Sequence, residues 1–284
     1  MHLFAFGFGY SARALKRRLE GWTAAGTYRD AEGKAALEAA GATGVSIEDR
    51  EGLVRELAKA QAVLLTAPPG PGGCPALPML VPALAQANAF PDWIGYLSTT
   101  GVYGDRRGGW VSETSRLAAQ SVEGARRMAA ERDWLEVGRG MGLTVTVHRL
   151  PGIYGAGRSA LDRVREGAAR RLKAEGQVFS RIHVDDLAAG LAASIAQPRA
   201  GGIYNLCDDE PASNSDVVAY AAQLLGVEPP PEQPLDLDAL SPQARRFYAE
   251  SKRVSNARAK AELGGRPAYP TYREGLTAIL AAGG

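Results

Sequence analysis

The sequence predicts an α/β protein that is built on a doubly wound parallel sheet and completed by a smaller C-terminal domain. Three observations lead to this prediction. Strand-like and helix-like segments alternate along residues 1–150, and the helical ones are long enough to cross over between neighbouring parallel strands. A glycine-containing turn directly follows the first strand. After residue 150 the regular alternation loosens, which indicates a second, differently built part.

The composition narrows the class of protein. Among 284 residues, hydrophobic residues make up 45% and charged residues 23%, which is typical of a folded globular protein. The net charge is +2 and the basic residues occur as scattered pairs, so no nucleic-acid partner is expected. No apolar run approaches the ~18 residues of a membrane span, so no membrane partner is expected either. The two cysteines predict free thiols in a cytoplasmic protein.

The first five elements follow from the spacing of apolar residues. Residues 2–6 form an apolar run typical of a strand, and residues 10–20 have helical spacing with basic side chains outward. Residues 22–28 predict the second strand. Residues 31–40 predict an alanine-rich helix, and residues 43–47 predict the third strand.

The next five elements continue the alternation. Residues 53–60 predict a helix, and residues 62–66 form a continuous apolar strand of the kind that is buried on both faces. Residues 77–88 predict a helix and residues 93–98 the fifth strand. Residues 116–138 predict one long helix.

The remaining elements are less regular. Residues 143–148 alternate, are rich in β-branched side chains and predict the sixth strand. The other expected segments are helices at residues 162–173, 184–195, 215–225 and 272–282, a strand at 202–206, and a proline-rich extended connector at 227–235.

The turn after the first strand predicts a dinucleotide site. It has the pattern G-x-G-x-x-A, formed by Gly7, Phe8, Gly9, Tyr10, Ser11 and Ala12. Gly7 permits the tight turn, Gly9 lets the backbone approach a pyrophosphate, and Ala12 lets the helix pack closely on the strand. The N-terminus of the following helix offers free N–H groups to the phosphates. These features are typical of a Rossmann-type domain.

The end of the second strand bears on which dinucleotide is bound. A site for NAD places an acidic residue near this point, whereas a site for NADP offers an arginine to the 2′-phosphate. Arg29 occupies the position, and its planar guanidinium suits a phosphate. The sequence therefore favours NADP, with NAD as the alternative. In that alternative Arg29 is a surface residue and Asp30 caps the next helix.

Further motifs occur in a consistent order: STTGVYG at residues 98–104, RLPGIYG at 149–155, RIHVDD at 181–186, YNLCD at 204–208 and YREGL at 272–276. Together they resemble the extended short-chain dehydrogenases/reductases, the NAD-dependent epimerase/dehydratase group, along nearly the whole chain. The resemblance implies a dinucleotide-binding domain and a small substrate-binding domain. The first comprises residues 1–150 with 177–206 returning to it, and the second comprises residues 151–176 and 207–284.

The resemblance also assigns residues around the cofactor. It implies that Thr66, Ala67 and Pro68 pass under the dinucleotide, that Ser98 and Pro151 contribute to its site, and that Thr99 lies near the nicotinamide. The expected partners are a small-molecule substrate and, as an open possibility, a second copy of the chain in a homodimer.

The catalytic helix of the resembled family carries Tyr-x-x-x-Lys, followed four residues later by glutamate. The stretch SVEGARRMAAE at residues 121–131 has neither. Aligning Glu131 with that glutamate places Arg127 in the lysine's position and Glu123 in the tyrosine's. A glutamate beside an arginine is ionised at neutral pH and has no proton to give. Glu123, Arg127 and Glu131 are therefore expected to form exposed i, i+4 ion pairs.

Other groups could carry the chemistry. Thr99 keeps the hydroxyl that the resembled family has at this position. Tyr103, Tyr154 and His183 lie in the resembled motifs and are candidates for proton transfer, with a packing or structural role as the alternative for each. No metal site is expected, because the chain has only three histidines and no clustered ligands.

Two functions follow from these observations. The first is an oxidoreductase or epimerase-like enzyme that uses NADP and acts on a small carbonyl, hydroxyl or nucleotide-sugar compound through rearranged catalytic groups. The second is a non-catalytic protein whose NADP occupancy regulates a partner. The retained motifs favour the first, and the missing tyrosine and lysine favour the second.

Overall fold

The protein is described by a computed structural model. It covers residues 1–283, except for the side chains of residues 242, 243 and 246. The strands are β1 (His2–Phe6), β2 (Thr23–Tyr28), β3 (Thr43–Ser46), β4 (Ala62–Leu65), β5 (Trp93–Thr99), β6 (Trp110–Val111), β7 (Val145–Leu150), β8 (Gly152–Tyr154), β9 (Arg171–Lys173), β10 (Arg181–His183), β11 (Ile203–Asn205), β12 (Glu232–Pro234) and β13 (Arg253–Val254).

The helices alternate with these strands through the first half of the chain. They are α1 (Tyr10–Arg18), α2 (Ala31–Ala39), α3 (Arg50–Leu57), α4 (Ala76–Ala87), α5 (Val122–Met141), α6 (Ala160–Arg165), α7 (Val184–Ala196), α8 (Asn214–Leu224), α9 (Pro242–Tyr248), α10 (Ala257–Leu263) and α11 (Tyr272–Ala281). None of the helices described is both long and apolar enough to cross a membrane.

A seven-stranded sheet organises the fold. Its strand order is β11-β7-β5-β4-β1-β2-β3, and the pairs from β5 to β3 are parallel. The chain therefore starts in the middle and winds outward in both directions. The predicted α/β class and doubly wound sheet are confirmed. In such sheets ligands bind beyond the carboxyl ends of the strands where the winding reverses, which here is between β1 and β4.

Contact clustering divides the chain into two compact units. The first unit contains residues 1–99, 122–149 and 187–204, and the second contains residues 100–121, 150–186 and 205–284. The segment at residues 177–186, which the sequence assigned to the dinucleotide-binding domain, lies in the second unit. The segment at residues 100–121 lies there too.

Each unit has its own core. In the first unit, apolar side chains of the strands pack against α3, α4 and α5, with Trp134 fully buried among them. In the second unit, α6, α8 and α11 pack together around Leu161, Ala221 and Leu276. Three two-stranded parallel pairs, β8–β10, β9–β12 and β6–β13, complete the second unit.

Two predicted helices were placed incorrectly. The helix expected at residues 116–138 begins only at Val122, because the Ala118 amide donates a hydrogen bond to the Val102 carbonyl at 2.9 Å and holds that stretch outside a helix. The basic helix expected at residues 162–173 is the short α6 followed by β9. Gly167 has a positive φ of 65°, which α-helical geometry excludes, and the helix has ended at Arg165.

Candidate active site

The turn after β1 brings together residues from three strand ends. Gly7 has a φ of 88°, and a Cβ there would lie 2.5 Å from Thr66 Oγ1, so only glycine fits. The Gly7 amide donates to Thr27 Oγ1 at 2.8 Å, and Thr66 Oγ1 donates to the Gly7 carbonyl at 2.9 Å. The carboxyl ends of β1, β2 and β4 are thus linked at the reversal point of the sheet.

Gly9 has a different environment from Gly7. It is the N-cap of α1, its φ of −88° is ordinary, and no side chain caps the helix there. A Cβ on Gly9 would meet no described atom within 4 Å. Ala12 is fully buried against the sheet, whereas Tyr10 and Ser11 are half-buried. The first turn of α1 therefore presents its amides to open space, which is the arrangement that binds a phosphate.

Phe8 closes one side of this turn. The half-buried Phe8 ring packs over Gly26 in β2. A Cβ at position 26 would lie only 2.6 Å from Phe8 Cδ2, so the ring fits there because residue 26 is glycine. At the end of the same strand, Arg29 is exposed. Asp30 accepts a hydrogen bond from the Gly33 amide at 2.7 Å and caps α2. The cap expected in the alternative interpretation therefore exists, while the Arg29 side chain extends into solvent.

The remaining predicted cofactor residues follow other strands of the sheet. Ala67 is half-buried and Pro68 exposed in the segment after β4, and Thr99 is half-buried at the end of β5. Ser98 is buried in β5. Pro151 follows β7 and belongs to the second unit. Gly7, Gly9, Thr66 and Ser98 share the first unit, which also contains Arg29 and Thr99.

Helix α5, which the sequence aligned with the catalytic helix of the resembled family, is anchored to the sheet. The prediction that Arg127 points to water or to its helical neighbours is wrong. Its Nη1 donates to the Leu97 carbonyl and, at 3.4 Å, to the Tyr96 hydroxyl, and its guanidinium lies 5.7 Å from the centre of the Tyr96 ring. Burial raises the pKa of Tyr96 to about 12, and the nearby Arg127 charge partly offsets this rise.

Glu131 also differs from the prediction, because it is buried with only 3% of its surface exposed. Arg149 donates to its carboxylate from Nη2 at 2.8 Å and from Nε at 3.1 Å, and Arg149 itself is 2% exposed. Ser98 Oγ donates to Glu131 Oε1 at 2.5 Å. Glu123 is exposed as expected. Glu123, Arg127 and Glu131 thus have three different environments and do not form a surface series of ion pairs.

Tyr103 is held in a closed network within the second unit. Its ring is fully buried, and its hydroxyl donates to Asn205 Oδ1 at 2.7 Å. Asn205 is also fully buried; its Nδ2 donates to the Ser255 carbonyl at 3.1 Å, and its amide donates to Glu113 Oε1 at 2.8 Å. These contacts favour the structural alternative for Tyr103 over a role as a proton donor.

Tyr154 and His183 pack against one another. The rings meet edge to face at 5.3 Å, and Tyr269 covers His183 at 4.2 Å. Burial lowers the pKa of His183, and the Asp185 amide donates to its Nδ1 at 3.2 Å, so the neutral ring carries its proton on Nε2. Burial raises the pKa of Tyr154, and the nearby Asp208 raises it further. Burial thus disfavours the charged form of both side chains.

Two charged residues that sequence reasoning missed lie beside this pair. Asp208 is 2% exposed, and neither of its carboxylate oxygens has a hydrogen-bond partner among the described residues. Burial raises its pKa to about 8, although Arg181 opposes the rise. Arg181 Nη2 donates to the Ala212 carbonyl at 3.1 Å. The signal was present, because both residues lie in motifs that the sequence singled out, RIHVDD at residues 181–186 and YNLCD at 204–208.

Within residues 1–283, no group of three or more His, Cys, Asp or Glu side chains is placed to hold a metal ion. The polar groups that could contact a dinucleotide are the α1 amides, the Thr66 and Thr99 hydroxyls and the Arg29 guanidinium.

Comparisons with known proteins agree with the fold. The family model described as the NAD dependent epimerase/dehydratase family matches residues 79–207. A solved structure of a functionally unknown conserved protein from Silicibacter pomeroyi DSS is 44% identical, with a TM-score of 0.92, and the match covers 99% of this chain and 98% of that one. A dTDP-glucose 4,6-dehydratase from Bacillus anthracis, solved in complex with NAD, is 17% identical with a TM-score of 0.78 over 99% of this chain and 96% of that one.

A 3-diazoavenalumate denitrifying reductase from Streptomyces sp is 34% identical over 104 residues. This match covers 35% of the chain and spans only a third, 33%, of the reductase. The end-to-end relative shares the fold of this chain, and the family model covers residues 79–207. Over residues 79–207 the chain matches the NAD-dependent epimerase/dehydratase family, and the alignment proposed from the sequence sets Glu123 and Arg127 in that family's catalytic Tyr and Lys positions.

Proposed function

We propose that the protein is a nicotinamide-dinucleotide-dependent oxidoreductase. The observation that carries the proposal is the turn after β1, where Gly7 makes the bend and Gly9 leaves open space before the amides of α1. A pyrophosphate fits there because an approaching anion would meet neither a side chain at position 9 nor an acidic residue in the first helical turn. The dehydratase of similar fold was solved in complex with NAD, which supports the same class of cofactor.

The finer proposal is that the cofactor is NADP. Arg29 is exposed at the end of β2, the strand next to the glycine turn, and its guanidinium offers two parallel donors to a 2′-phosphate. Asp30 Oδ1 is engaged as the cap of α2, which supports Arg29 over Asp30 as the residue that meets the ribose.

Replacing Arg29 by alanine tests this preference. Because a charge-assisted hydrogen bond contributes roughly 1.5–3 kcal/mol, NADPH should bind about 10- to 100-fold more weakly, whereas NADH affinity should hardly change. The measurement is a titration followed by nicotinamide fluorescence. Arg18→Ala, an exposed arginine at the other end of α1, is the matched control and should leave both affinities unchanged. Equal losses for NADPH and NADH in the Arg29 variant would mean that another residue selects the cofactor.

The chemistry would combine the cofactor with groups of this chain. When bound, a nicotinamide supplies or accepts a hydride. Thr99 is the retained hydroxyl at the end of β5 and would hold the reacting oxygen of a small carbonyl or hydroxyl compound, such as a nucleotide sugar. The related Streptomyces protein is named as a reductase, which favours reduction over epimerisation. Buried free thiols at Cys74 and Cys207 fit the reducing cytoplasm in which we expect this reaction.

One observation favours a second function, a cofactor-binding regulator without catalysis. Arg127 is bound to Leu97 and Tyr96, and Glu123 is exposed, so this helix does not offer the family's proton donor. Fluorescence of NADPH, followed with a panel of carbonyl compounds and nucleotide sugars, separates the two functions. Steady oxidation of NADPH supports the enzyme. Saturable NADPH binding without turnover on any member of the panel supports the regulator.

A further inference from the structure

The second compact unit contains a cavity that the cofactor chemistry does not use. Its volume is about 730 Å³, and it lies among β8, β10, α6, α8, α9 and α11. All of the residues that line it belong to the second unit. Small-molecule sites typically have volumes of roughly 300–1,000 Å³, and the volume of this cavity lies in that range. The cavity is therefore large enough for a small organic compound.

The charge of the cavity has one sign. Four arginines line it, namely Arg158, Arg163, Arg170 and Arg181, while the described residues of its wall include neither aspartate nor glutamate. Arg158, Arg163 and Arg170 are exposed, so they form the rim. Arginines that line one space attract an anion into it.

Arg181 is the arginine with an unused donor in the interior. Its Nη2 is bound to the Ala212 carbonyl, and its guanidinium lies 5.5 Å from the centre of the Tyr272 ring. Its Nη1 is buried and has no hydrogen-bond partner within the described part of the chain. A buried donor without a partner costs free energy, and a ligand oxygen would remove that cost. The acidic neighbour of Arg181 is Asp208, and burial raises the pKa of its carboxyl to about 8.

The cavity is also lined by aromatic rings. Phe179 and Phe247 stack with their ring centres 4.0 Å apart, and Tyr248 meets Phe179 edge to face at 5.6 Å. All three side chains line the cavity. Flat rings of this kind pack against planar or apolar parts of a ligand. Arginines and aromatic rings thus line the same cavity, so an occupant with both a charged group and an apolar part would contact both.

We propose that this cavity binds an organic anion whose carboxylate or phosphate group is held by Arg181 and whose apolar or aromatic part packs on Phe179, Phe247 and Tyr248. Arg163 and Arg170 attract the anion from the rim. This inference rests on the proposed function, because the anion would be the substrate of the proposed oxidoreductase. Anion binding itself is measured without nucleotide, so its failure and the failure of the cofactor proposal are distinguishable.

Calorimetric titration with three probes of similar size tests the proposal. They are 3-phenylpropionate, phenyl phosphate and the neutral 3-phenylpropan-1-ol. We expect at least one anion to bind at neutral pH and the alcohol not to bind. Tighter binding of phenylpropionate identifies a carboxylate as the charged group, and tighter binding of phenyl phosphate identifies a phosphate. Binding of the alcohol as tight as that of the anions, or no binding of either anion, overturns the proposal.

Variants locate the binding in the cavity. Arg181→Gln should weaken the better anion by about 10- to 100-fold, because the charge-assisted hydrogen bonds are lost. Arg165→Gln is the matched control, since Arg165 belongs to the same helix as Arg163, is exposed and does not line the cavity. Undiminished affinity in the Arg181 variant would contradict the assignment.

A second variant covers the case in which Arg181→Gln does not fold. Arg163 and Arg170 are exposed, so replacing both by glutamine should leave the fold intact. Anion affinity should fall severalfold, and its dependence on salt concentration should become shallower because two attracting charges are gone. Affinity and salt dependence equal to those of the parent protein would overturn the proposal independently of Arg181.

Discussion

Replacing Arg149 by methionine should lower the free energy of unfolding by about 3–5 kcal/mol, because it leaves the buried Glu131 carboxylate without its partner. Arg149 and Glu131 are 2% and 3% exposed, and two guanidinium nitrogens contact the carboxylate. Ser98 remains as a donor to Glu131, but a single hydroxyl does not replace a positive charge. Urea unfolding followed by circular dichroism measures the loss.

A double-mutant cycle separates the pair from its burial. Glu131→Met alone should be strongly destabilising, since it leaves the Arg149 charge buried. The double variant, with methionine at both positions, should recover much of the loss, because apolar residues of similar size often replace a buried ion pair at little cost. Glu123→Ala is the control on the same helix and should change stability by no more than about 0.5 kcal/mol, as expected for an exposed position. A small effect of Arg149→Met would mean that water reaches this pair.

The same residues show what local sequence can and cannot predict. The i, i+4 spacing of Glu123, Arg127 and Glu131 is that of a solvent-exposed series of ion pairs, and nothing in the helix itself separates this case from burial. The partner of Glu131 is Arg149, which is 18 residues away in the sequence, and the partner of Arg127 is the carbonyl of Leu97. Side-chain environment depends on such tertiary contacts, whereas helical spacing does not reveal them.

Strands and their order were more accessible to prediction. The run at residues 62–66 is apolar at nearly every position because β4 is covered on both faces, and all of its residues are buried. The glycine turn was recognisable because its backbone geometry demands particular residues. Conversely, residues 116–121 have helical composition but lie outside α5, since the contact of Ala118 with Val102 holds them in another conformation. The Arg181 cavity could not be foreseen because it joins segments that are distant in sequence.

The two glycines of the turn should fail in different ways when substituted, which makes them a sharp test of the dinucleotide site. Gly9→Val should abolish detectable NADPH affinity, a loss of at least about 100-fold, while the protein stays folded. The backbone at Gly9 is extended, with φ of −88° and ψ of −157°, so valine is tolerated there. Its side chain would extend into space that is open in the described structure and that the pyrophosphate should occupy.

Gly7→Ala should instead damage the fold. A positive φ of 88° costs about 1–2 kcal/mol for a residue with a Cβ, and the Cβ would also displace Thr66 from the hydrogen bond that joins β4 to the turn. Thermal unfolding should therefore show a lowered midpoint for Gly7→Ala and a nearly unchanged one for Gly9→Val. Calorimetry with NADPH should show the reverse order. Relative to its loss of stability, Gly9→Val should lose more NADPH affinity than Gly7→Ala. Retained NADPH affinity in a folded Gly9→Val variant would place the dinucleotide elsewhere, because no pyrophosphate could then approach the amides of α1 past an isopropyl group.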